Sequence, residues 1–367
     1  MRRLLIDRSP VGAVALLAVL AAAGAALGGE FERTFTFTGD DLELVSMIGA
    51  TEVVAADGDD FAVTVHVRGK DAAEDLVTFV ATDGGEGSLV VRFPLEQHTR
   101  YVYPALGGGK STIHFRDDDP EESSWLRRVF GGLGGRKITV SGDGGGLEVW
   151  ADVTVAVPRD AGLKVRQGVG AVRADGVRGD LDLDTHSGGI TVGDLEGDLR
   201  ADTGSGRVEV VRTRGEVSVD TGSGSVSLAD VAGEKVHVDT GSGGVRVETI
   251  VCKDLLVDTG SGSVKARAVS TDRAKIDTGS GGVELQLDRM GSGRFVIDTG
   301  SGSIELELPE GASASITADT GSGSVRADVP GAEITHKDRG ELRLTVGDGA
   351  ARVTLDAGSG SITVNGR

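Results

Sequence analysis

A five-residue tract that carries one carboxylate and two hydroxyls recurs along this chain. Asp-Thr-Gly-Ser-Gly occurs seven times at steps of 18 to 21 residues, with altered copies at Asp184 and Asp356. Two carboxylates that came close enough to share a proton could perform acid–base chemistry. Carboxylate and carbonyl oxygens are also the ligands that Ca²⁺ prefers. The unaltered copies begin at Asp202, Asp220, Asp239, Asp258, Asp277, Asp298 and Asp319.

One copy, Leu255–Ser261, is similar to the active-site tract of the pepsin-type aspartic proteases, because Asp-Thr-Gly-Ser follows an apolar run. Protease chemistry needs two matched carboxylates, each on a specially looped strand of a bilobal or dimeric barrel. Here the tract repeats at regular spacing, and nothing singles out one pair. We therefore predict that the chain is not an enzyme, has no catalytic residues and requires no cofactor.

The same tract also fits a tight corner between strands. Its Asp could close an Asx-turn, its glycines could adopt positive φ, and its Thr and Ser could bond locally or to the next repeat. Stacked corners would align eight carboxylates, from Asp184 to Asp319. Like charges about 5 Å apart repel by roughly 1 kcal/mol in water, so backbone N–H groups or Ca²⁺ must hold them. The seven aspartates named above are thus candidate Ca²⁺ ligands, although the Gly-Gly-x-Gly-x-Asp repeat of calcium β-rolls is absent.

Apolar and polar residues alternate on both sides of each tract. Val217 and Val219 precede one copy, and Val226 and Leu228 follow it. A period of two marks short, half-buried strands and directs the Asp of each tract outward. One repeat buries too few aliphatic side chains to offset the entropy of ordering it, so repeats must stack. We predict an all-β fold, a parallel β-solenoid of about eleven 18–21-residue rungs over residues 161–367 with a C-terminal cap.

Residues 30–160 are predicted to form an N-terminal β region with less regular strands. A short helical insertion is expected at 119–132, where Asp119 can cap the helix and Gly131-Gly132 can end it. It would serve either as a lid over the open end of the solenoid or as a docking surface. Its apolar face, the candidate for docking a partner, consists of Trp125, Leu126, Val129 and Phe130.

Residues 1–29 resemble a secretory signal peptide, since a basic start precedes an apolar run and small residues. An uncleaved membrane anchor is the alternative. Either reading predicts an exported protein that is periplasmic, cell-surface or secreted. The formal charge of −19 argues against nucleic acid as a partner, and it leaves the leader, if retained, as the one link to a membrane.

The remaining candidates for chemistry are few. Cys252 is the single cysteine, so no intrachain disulfide can form, and we expect it to be a small buried hydrophobic residue. The six histidines share no metal-ligand spacing and are expected at surface or turn positions. They are His66, His98, His114, His186, His237 and His336.

The repeats resemble a bacterial β-strand-repeat family of unknown function described as putative adhesins. The residues that carry this resemblance are Leu44–Val54 followed by Gly58–Phe61, Val153–Pro158, and the rungs of the form Asp-Thr-Gly-Ser-Gly-Ser-Val through Ile362–Val364. The family brings no catalytic residues. The resemblance implies a non-enzymatic adhesin or envelope structural protein with an envelope protein or glycan as partner. The alternatives are a Ca²⁺-ordered repeat protein and a carbohydrate-active β-helix enzyme.

Two outward columns of side chains are the predicted contact surfaces. The first column consists of Ser218, His237, Leu256, Lys275, Val296 and Thr317, and the second of Ser227, Arg246, Lys265, Glu284, Glu305 and Arg326. Their mixed chemistry identifies no ligand.

Overall fold

A computed structural model describes residues 29–115 and 135–367. These residues form β-strands and one short 3-10 helix at Pro104–Leu106. The first strands are β1 (Phe31–Phe37), β2 (Asp41–Ile48), β3 (Thr51–Ala55), β4 (Phe61–Arg68), β5 (Thr78–Thr82), β6 (Glu86–Arg92), β7 (Arg100–Val102), β8 (Lys110–His114), β9 (Lys137–Ser141) and β10 (Trp150–Val157). The strands of the repeats are β11 (Gly162–Val169), β12 (Val172–Asp175), β13 (Leu181–Ser187), β14 (Ile190–Glu196), β15 (Leu199–Ser205), β16 (Val208–Arg214), β17 (Val217–Thr221), β18 (Val226–Ala232), β19 (Lys235–Thr240), β20 (Val245–Thr259), β21 (Val264–Thr278), β22 (Val283–Met290), β23 (Arg294–Thr299) and β24 (Ile304–Leu308). The last strands are β25 (Ala314–Thr320), β26 (Val325–Asp328), β27 (Glu333–Lys337), β28 (Glu341–Val346), β29 (Ala351–Ala357) and β30 (Ile362–Gly366).

The repeats stack into two sets of parallel strands that meet at the corner formed by each tract. In the first set, β11, β13, β15, β17 and β19 pair in succession. In the second set, β12, β14, β16 and β18 do the same. The long strands β20 and β21 contribute to both sets. We call the first set the aspartate sheet, because every tract begins on it, and the other the second sheet. The parallel stacking confirms the predicted all-β solenoid class, whereas the number of rungs stays a prediction.

Alternating aliphatic side chains fill the space between the sheets. Val217 and Val219 of β17 are buried, as are Val226 and Leu228 of β18. The equivalent residues on neighbouring strands are in register, so each aliphatic side chain packs on its counterpart one strand away. The period of two in the sequence therefore predicted the core correctly.

A bend near the end of the second-sheet strands gives five consecutive rungs a third, short side. The bend residues have left-handed φ values, which non-glycine residues adopt rarely. Beyond the bend the ladder resumes, as where Leu195 pairs with Thr213. Stacking of the bends brings Arg212 over Asp194, and their side chains form a two-point ion pair at 2.6 and 2.8 Å. The bend residues are Asp194, Arg212, Asp230, Thr249 and Ala268.

The order of the strands in space departs from their order in the chain near the C-terminal end. In the aspartate sheet, β29 lies between β23 and β25 and is parallel to both. In the second sheet, β30 lies between β24 and β26. The hairpin β27–β28 packs outside this inserted rung, because β28 pairs antiparallel with β25. The regular spacing of the tracts predicts that the rungs stack in chain order. This prediction is wrong for the last rung.

At the other end, β2 and β3 form a rung of their own. They pair in parallel with β11 and β12, so the segment Leu44–Val54 stacks on the repeats that follow it. β1 and β4 form an antiparallel layer that continues into β10. A separate three-stranded sheet of β7, β8 and β9 lies beside it.

Two predicted segments lie outside the described residues. The leader falls in residues 1–28, and the insertion with Trp125, Leu126, Val129 and Phe130 falls in residues 116–134. Across the two described ranges, we find no helix with the length and apolar character needed to cross a membrane.

Candidate functional site

The aspartates of the tracts form one column on the outer side of the aspartate sheet. Each Asp is paired in register with the Asp of the neighbouring strand, whereas the residues on either side of it point inward. The column confirms the predicted alignment and adds Asp356, which the inserted rung places between Asp298 and Asp319. In spatial order the column is Asp184, Asp202, Asp220, Asp239, Asp258, Asp277, Asp298, Asp356 and Asp319.

The carboxylates of the seven unaltered tracts lack the backbone donors that the sequence suggested. Among the described residues, no backbone N–H donates to the Asp of any of the seven unaltered tracts, so the Asx-turn prediction is wrong. The charges instead act on one another. Burial and the adjacent Asp220 carboxylate raise the pKa of half-buried Asp202. Burial and the carboxylates of Asp277 and Asp356 raise the pKa of Asp298 in the same way.

The threonine of the tract, rather than the aspartate, closes the corner. Thr259 is fully buried, and its Oγ1 accepts a hydrogen bond from the N–H of Gly262 at 3.0 Å. The same hydroxyl donates to the carbonyl oxygen of Gly243, one strand away, at 3.1 Å. A buried hydroxyl can satisfy one donor and one acceptor in this manner. The arrangement recurs at Thr221, Thr240, Thr278, Thr299 and Thr320.

The glycines of the tract are required by close packing between rungs, and not by positive φ. None of the glycines in the unaltered tracts has a left-handed φ, so that prediction is also wrong. A Cβ on Gly224 would overlap the carbonyl oxygen of Gly206, and a Cβ on Gly243 would overlap that of Gly224. The first glycine of the tract is similar, since a Cβ on Gly222 would lie 2.6 Å from the oxygen of Gly204. The corners thus stack backbone directly on backbone.

Different residues terminate the aspartate column at its two ends. Beyond Asp184 the next residue in the column is Arg166, whose guanidinium binds Asp182 through contacts of 2.8 and 2.6 Å. Beyond Asp319 the partner on the capping hairpin is Glu341. The column is therefore bounded by a cation at one end and by a further carboxylate at the other.

The two predicted contact columns lie on the outer sides of the two sheets. In the aspartate sheet, Thr354 of the inserted rung enters the first column between Val296 and Thr317. In the second sheet, Thr363 enters the second column between Glu305 and Arg326. The side chains change type from rung to rung, in contrast to the uniform aspartate column.

The remaining candidates for chemistry are Cys252 and a cluster of side chains around His336. Cys252 is buried, as predicted, and burial raises the pKa of its thiol. His336, Asp338 and Glu341 bring one potential ligand atom each within 4.8 Å of one another, a cluster that the sequence search missed. The cluster is exposed or half-buried, and Arg343 already binds Glu341 at 2.6 Å. The spacing of two residues between His336, near the end of β27, and Asp338, just after it, was the signal that could have identified the cluster.

A sequence profile described as Toastrack DUF4097 matches residues 151–365. The match spans more than half of the chain and coincides with the stacked rungs. This chain belongs to the Toastrack DUF4097 family. The resemblance to a family of unknown function is thereby confirmed, and the Toastrack fold accounts for the long, mostly parallel sheets. No curated protein matches the chain.

Two solved structures are similar to this Toastrack protein at low sequence identity. One is a putative cell adhesion protein from Clostridium sporogenes ATCC 15579, with 12% identity, a TM-score of 0.22, and coverage of 92% of this chain and 100% of that chain. The other is a putative adhesin from Bacteroides fragilis NCTC 9343, with 8% identity, a TM-score of 0.34, and coverage of 92% of this chain and 97% of that chain.

Proposed function

We propose that this protein is a non-enzymatic, exported β-solenoid that acts as an adhesin-like binding or structural element of the cell envelope. The observation that carries the proposal is the division of roles within the tract. Threonine hydroxyls and glycines hold the rungs together, which leaves the aspartate column as a continuous outer face. Its carboxylates repeat about every 4.8 Å, the spacing of neighbouring strands. A regular face of this kind suits many weak, simultaneous contacts with an extended partner such as a glycan or an envelope protein.

The uniformity of the aspartate column supports a binding role over catalysis. An acid–base pair needs two adjacent carboxylates whose environments set them apart from the rest. A raised pKa occurs both at Asp202 and at Asp298, which lie on β15 and β23 with four strands between them. The raised pKa values therefore mark no single adjacent pair in the column.

The test is capture of envelope fractions by the purified full-length protein. Asp220→Asn, Asp239→Asn and Asp258→Asn together remove three adjacent charges from the aspartate column and keep the side-chain shape. We expect this variant to lose most of the captured glycan or protein. A control with equal charge change in an exposed loop outside both contact columns, Asp57→Asn with Asp59→Asn and Asp60→Asn, should capture as much as the wild type.

Equal capture by both variants would remove the aspartate column from the proposal. A wild-type protein that captures nothing would contradict adhesion itself. Cleavage of envelope polysaccharide by the wild type, lost in the first variant, would instead favour a carbohydrate-active enzyme.

A second candidate function, that of a Ca²⁺-ordered repeat protein, is supported by the environment of the tract aspartates. Among the described residues, the seven unaltered tracts carry adjacent carboxylates that accept no hydrogen bond from a backbone N–H, and the pKa of Asp202 is raised in part by its neighbour. Bound Ca²⁺ would relieve that repulsion with hard oxygen ligands. Calorimetric titration should then give heat and a higher melting temperature, and both should shrink in the triple Asp→Asn variant. Neither heat nor a thermal shift in the wild type would exclude this candidate.

A further inference from the structure

A second row of charges runs along the rod at the start of the aspartate-sheet strands, and its sign reverses from one end to the other. We call it the corner row. Its members are the charged residues that lie four positions before an aspartate of the column, and they stack in the register of the sheet. In spatial order they are Asp180, Asp198, Glu216, Lys235, Asp254, Arg273, Arg294 and Arg352.

The acidic end of the corner row lies in a groove. A cleft of about 420 Å³ is lined by Asp180, Asp198 and Glu216, together with Lys235. Asp180 and Asp198 each use one carboxylate oxygen to accept a backbone N–H from the next rung, at 2.8 and 2.7 Å. All three acidic residues are exposed, and across the described ranges none of them forms an ion pair. With Asp41 and Asp182, the lining has five carboxylates, which outnumber its three basic side chains, Lys164, Arg200 and Lys235.

The basic end of the corner row presents the complementary group. Arg294 and Arg352 are direct neighbours in the ladder and both are exposed. Neither has an ion-pair partner within the part of the chain that the structure describes. Two guanidinium groups on strands about 4.8 Å apart repel each other and favour an acidic partner. On a chain with a formal charge of −19, this local excess of positive charge is unusual.

We propose that the corner row is a self-complementary interface for a second copy of this chain, lying antiparallel beside the first. The two-fold axis passes between the rungs of Lys235 and Asp254. Reversing the row about this axis places Arg352 against the second copy's Asp180, and Arg294 against its Asp198. The inner positions also match in sign, since Arg273 faces Glu216 and Lys235 faces Asp254, and within each copy Arg273 and Asp254 also bind each other at 2.6 Å. Every position in the row thus meets the opposite charge.

The charged residues of the two copies are spaced at the same distance along the row. Acidic and basic residues belong to one ladder, so both halves of the corner row repeat at the same distance between strands. The exposed arginine side chains of one copy would enter the acidic groove of the other. An isologous contact of this type uses the same patch on both subunits and closes at a dimer.

The proposed contact leaves the aspartate column free. The column lies four residues further along each strand, which corresponds to about 13 Å. The dimer therefore goes beyond the adhesin-like function and does not depend on it.

The test is sedimentation velocity of the purified full-length protein at low ionic strength. We expect a dimer that dissociates as salt approaches about 1 M, where charges are screened beyond roughly 3 Å. Arg294→Glu with Arg352→Glu should weaken dimerisation by at least about tenfold, because each reversal acts at both symmetric contacts. Asp180→Lys with Asp198→Lys should do the same. A mixture of these two variants should associate, since each supplies the charge that the other lacks.

Two further variants serve as controls, one for damage to the rungs and one for a general effect of charge. Glu216→Lys changes an acidic residue whose side chain makes no backbone contact in the described structure, so it tests the acidic end without disturbing the rungs. Arg173→Glu with Arg246→Glu reverses exposed charges on the second sheet and should leave the dimer unchanged. A wild type that is monomeric at low salt, or a variant mixture that stays monomeric while both proteins melt like the wild type, would overturn the proposal.

Discussion

Replacing Thr259 by valine tests whether the hydroxyl of the tract holds adjacent rungs together. The substitution keeps the shape of a fully buried side chain and removes Oγ1. The N–H of Gly262 then loses its acceptor and the carbonyl of Gly243 loses its donor. Each unsatisfied buried group costs about 1–3 kcal/mol. The added methyl group returns about 0.8 kcal/mol. We therefore expect the free energy of unfolding to fall by about 1–5 kcal/mol.

Urea unfolding followed by circular dichroism measures this loss, and hydrogen exchange at Gly262 reports whether the corner itself opens. Thr185 supplies a matched control, because its hydroxyl is equally buried and has no hydrogen-bond partner. Thr185→Val should be neutral or stabilise the fold by up to about 1 kcal/mol. If the two valine variants lose equal stability, the hydroxyl pairs are not what holds the corners.

Three further predictions concern the same corners and the core. Asp202→Asn should raise the melting temperature at pH 7, and this gain should vanish as the pH falls. The pKa of Asp202 is raised in the native state, so the native wild-type carboxyl is protonated at a higher pH than the unfolded one and the wild type regains stability. Melting curves from pH 7 to pH 3.5 measure the gain, and a gain that persists at low pH would refute the prediction. Gly243→Ala should destabilise the protein severely, because its Cβ would overlap the carbonyl oxygen of Gly224. Gly244→Ala should be tolerated, because its Cβ would lie 3.6 Å from the nearest atom, the carbonyl oxygen of Ser263. Equal melting temperatures of the two variants would contradict the packing argument. Cys252 should react with a thiol reagent only after unfolding, because burial raises the pKa of its thiol; rapid reaction in the native protein would oppose this.

Much of the solenoid follows from local sequence. Alternation around Val217 and Val226 determines which side chains are buried, and equal spacing of the tracts places each aspartate beside the next. Both properties depend on a period of two along a strand and on one repeat stacking on its neighbour. Neither requires knowledge of distant parts of the chain, so they could be predicted.

The chemistry of the corner was harder to assign, because Asp and Thr can each bond to a turn. Their parity on the strand decides between them, since Thr259 points inward, where a hydroxyl must find partners, and Asp258 points into solvent. The position of Asp356 could not be predicted, because an altered tract near the end of the chain gives no sign that it inserts between earlier rungs. The corner row was missed for a related reason, since its residues share a position on the strand but not a residue type.

The insertion of β29 and β30 between earlier rungs also has a consequence for how the chain folds. Asp298 and Asp356 are neighbours in space although 58 positions separate them, whereas most rungs close over about 20. Contacts between distant residues form slowly, because a long loop must close first. During synthesis, the position between β23 and β25 stays unfilled until residues 351–366 have been made. The junction of β23, β29 and β25 is therefore expected to form after the rungs that stack in chain order.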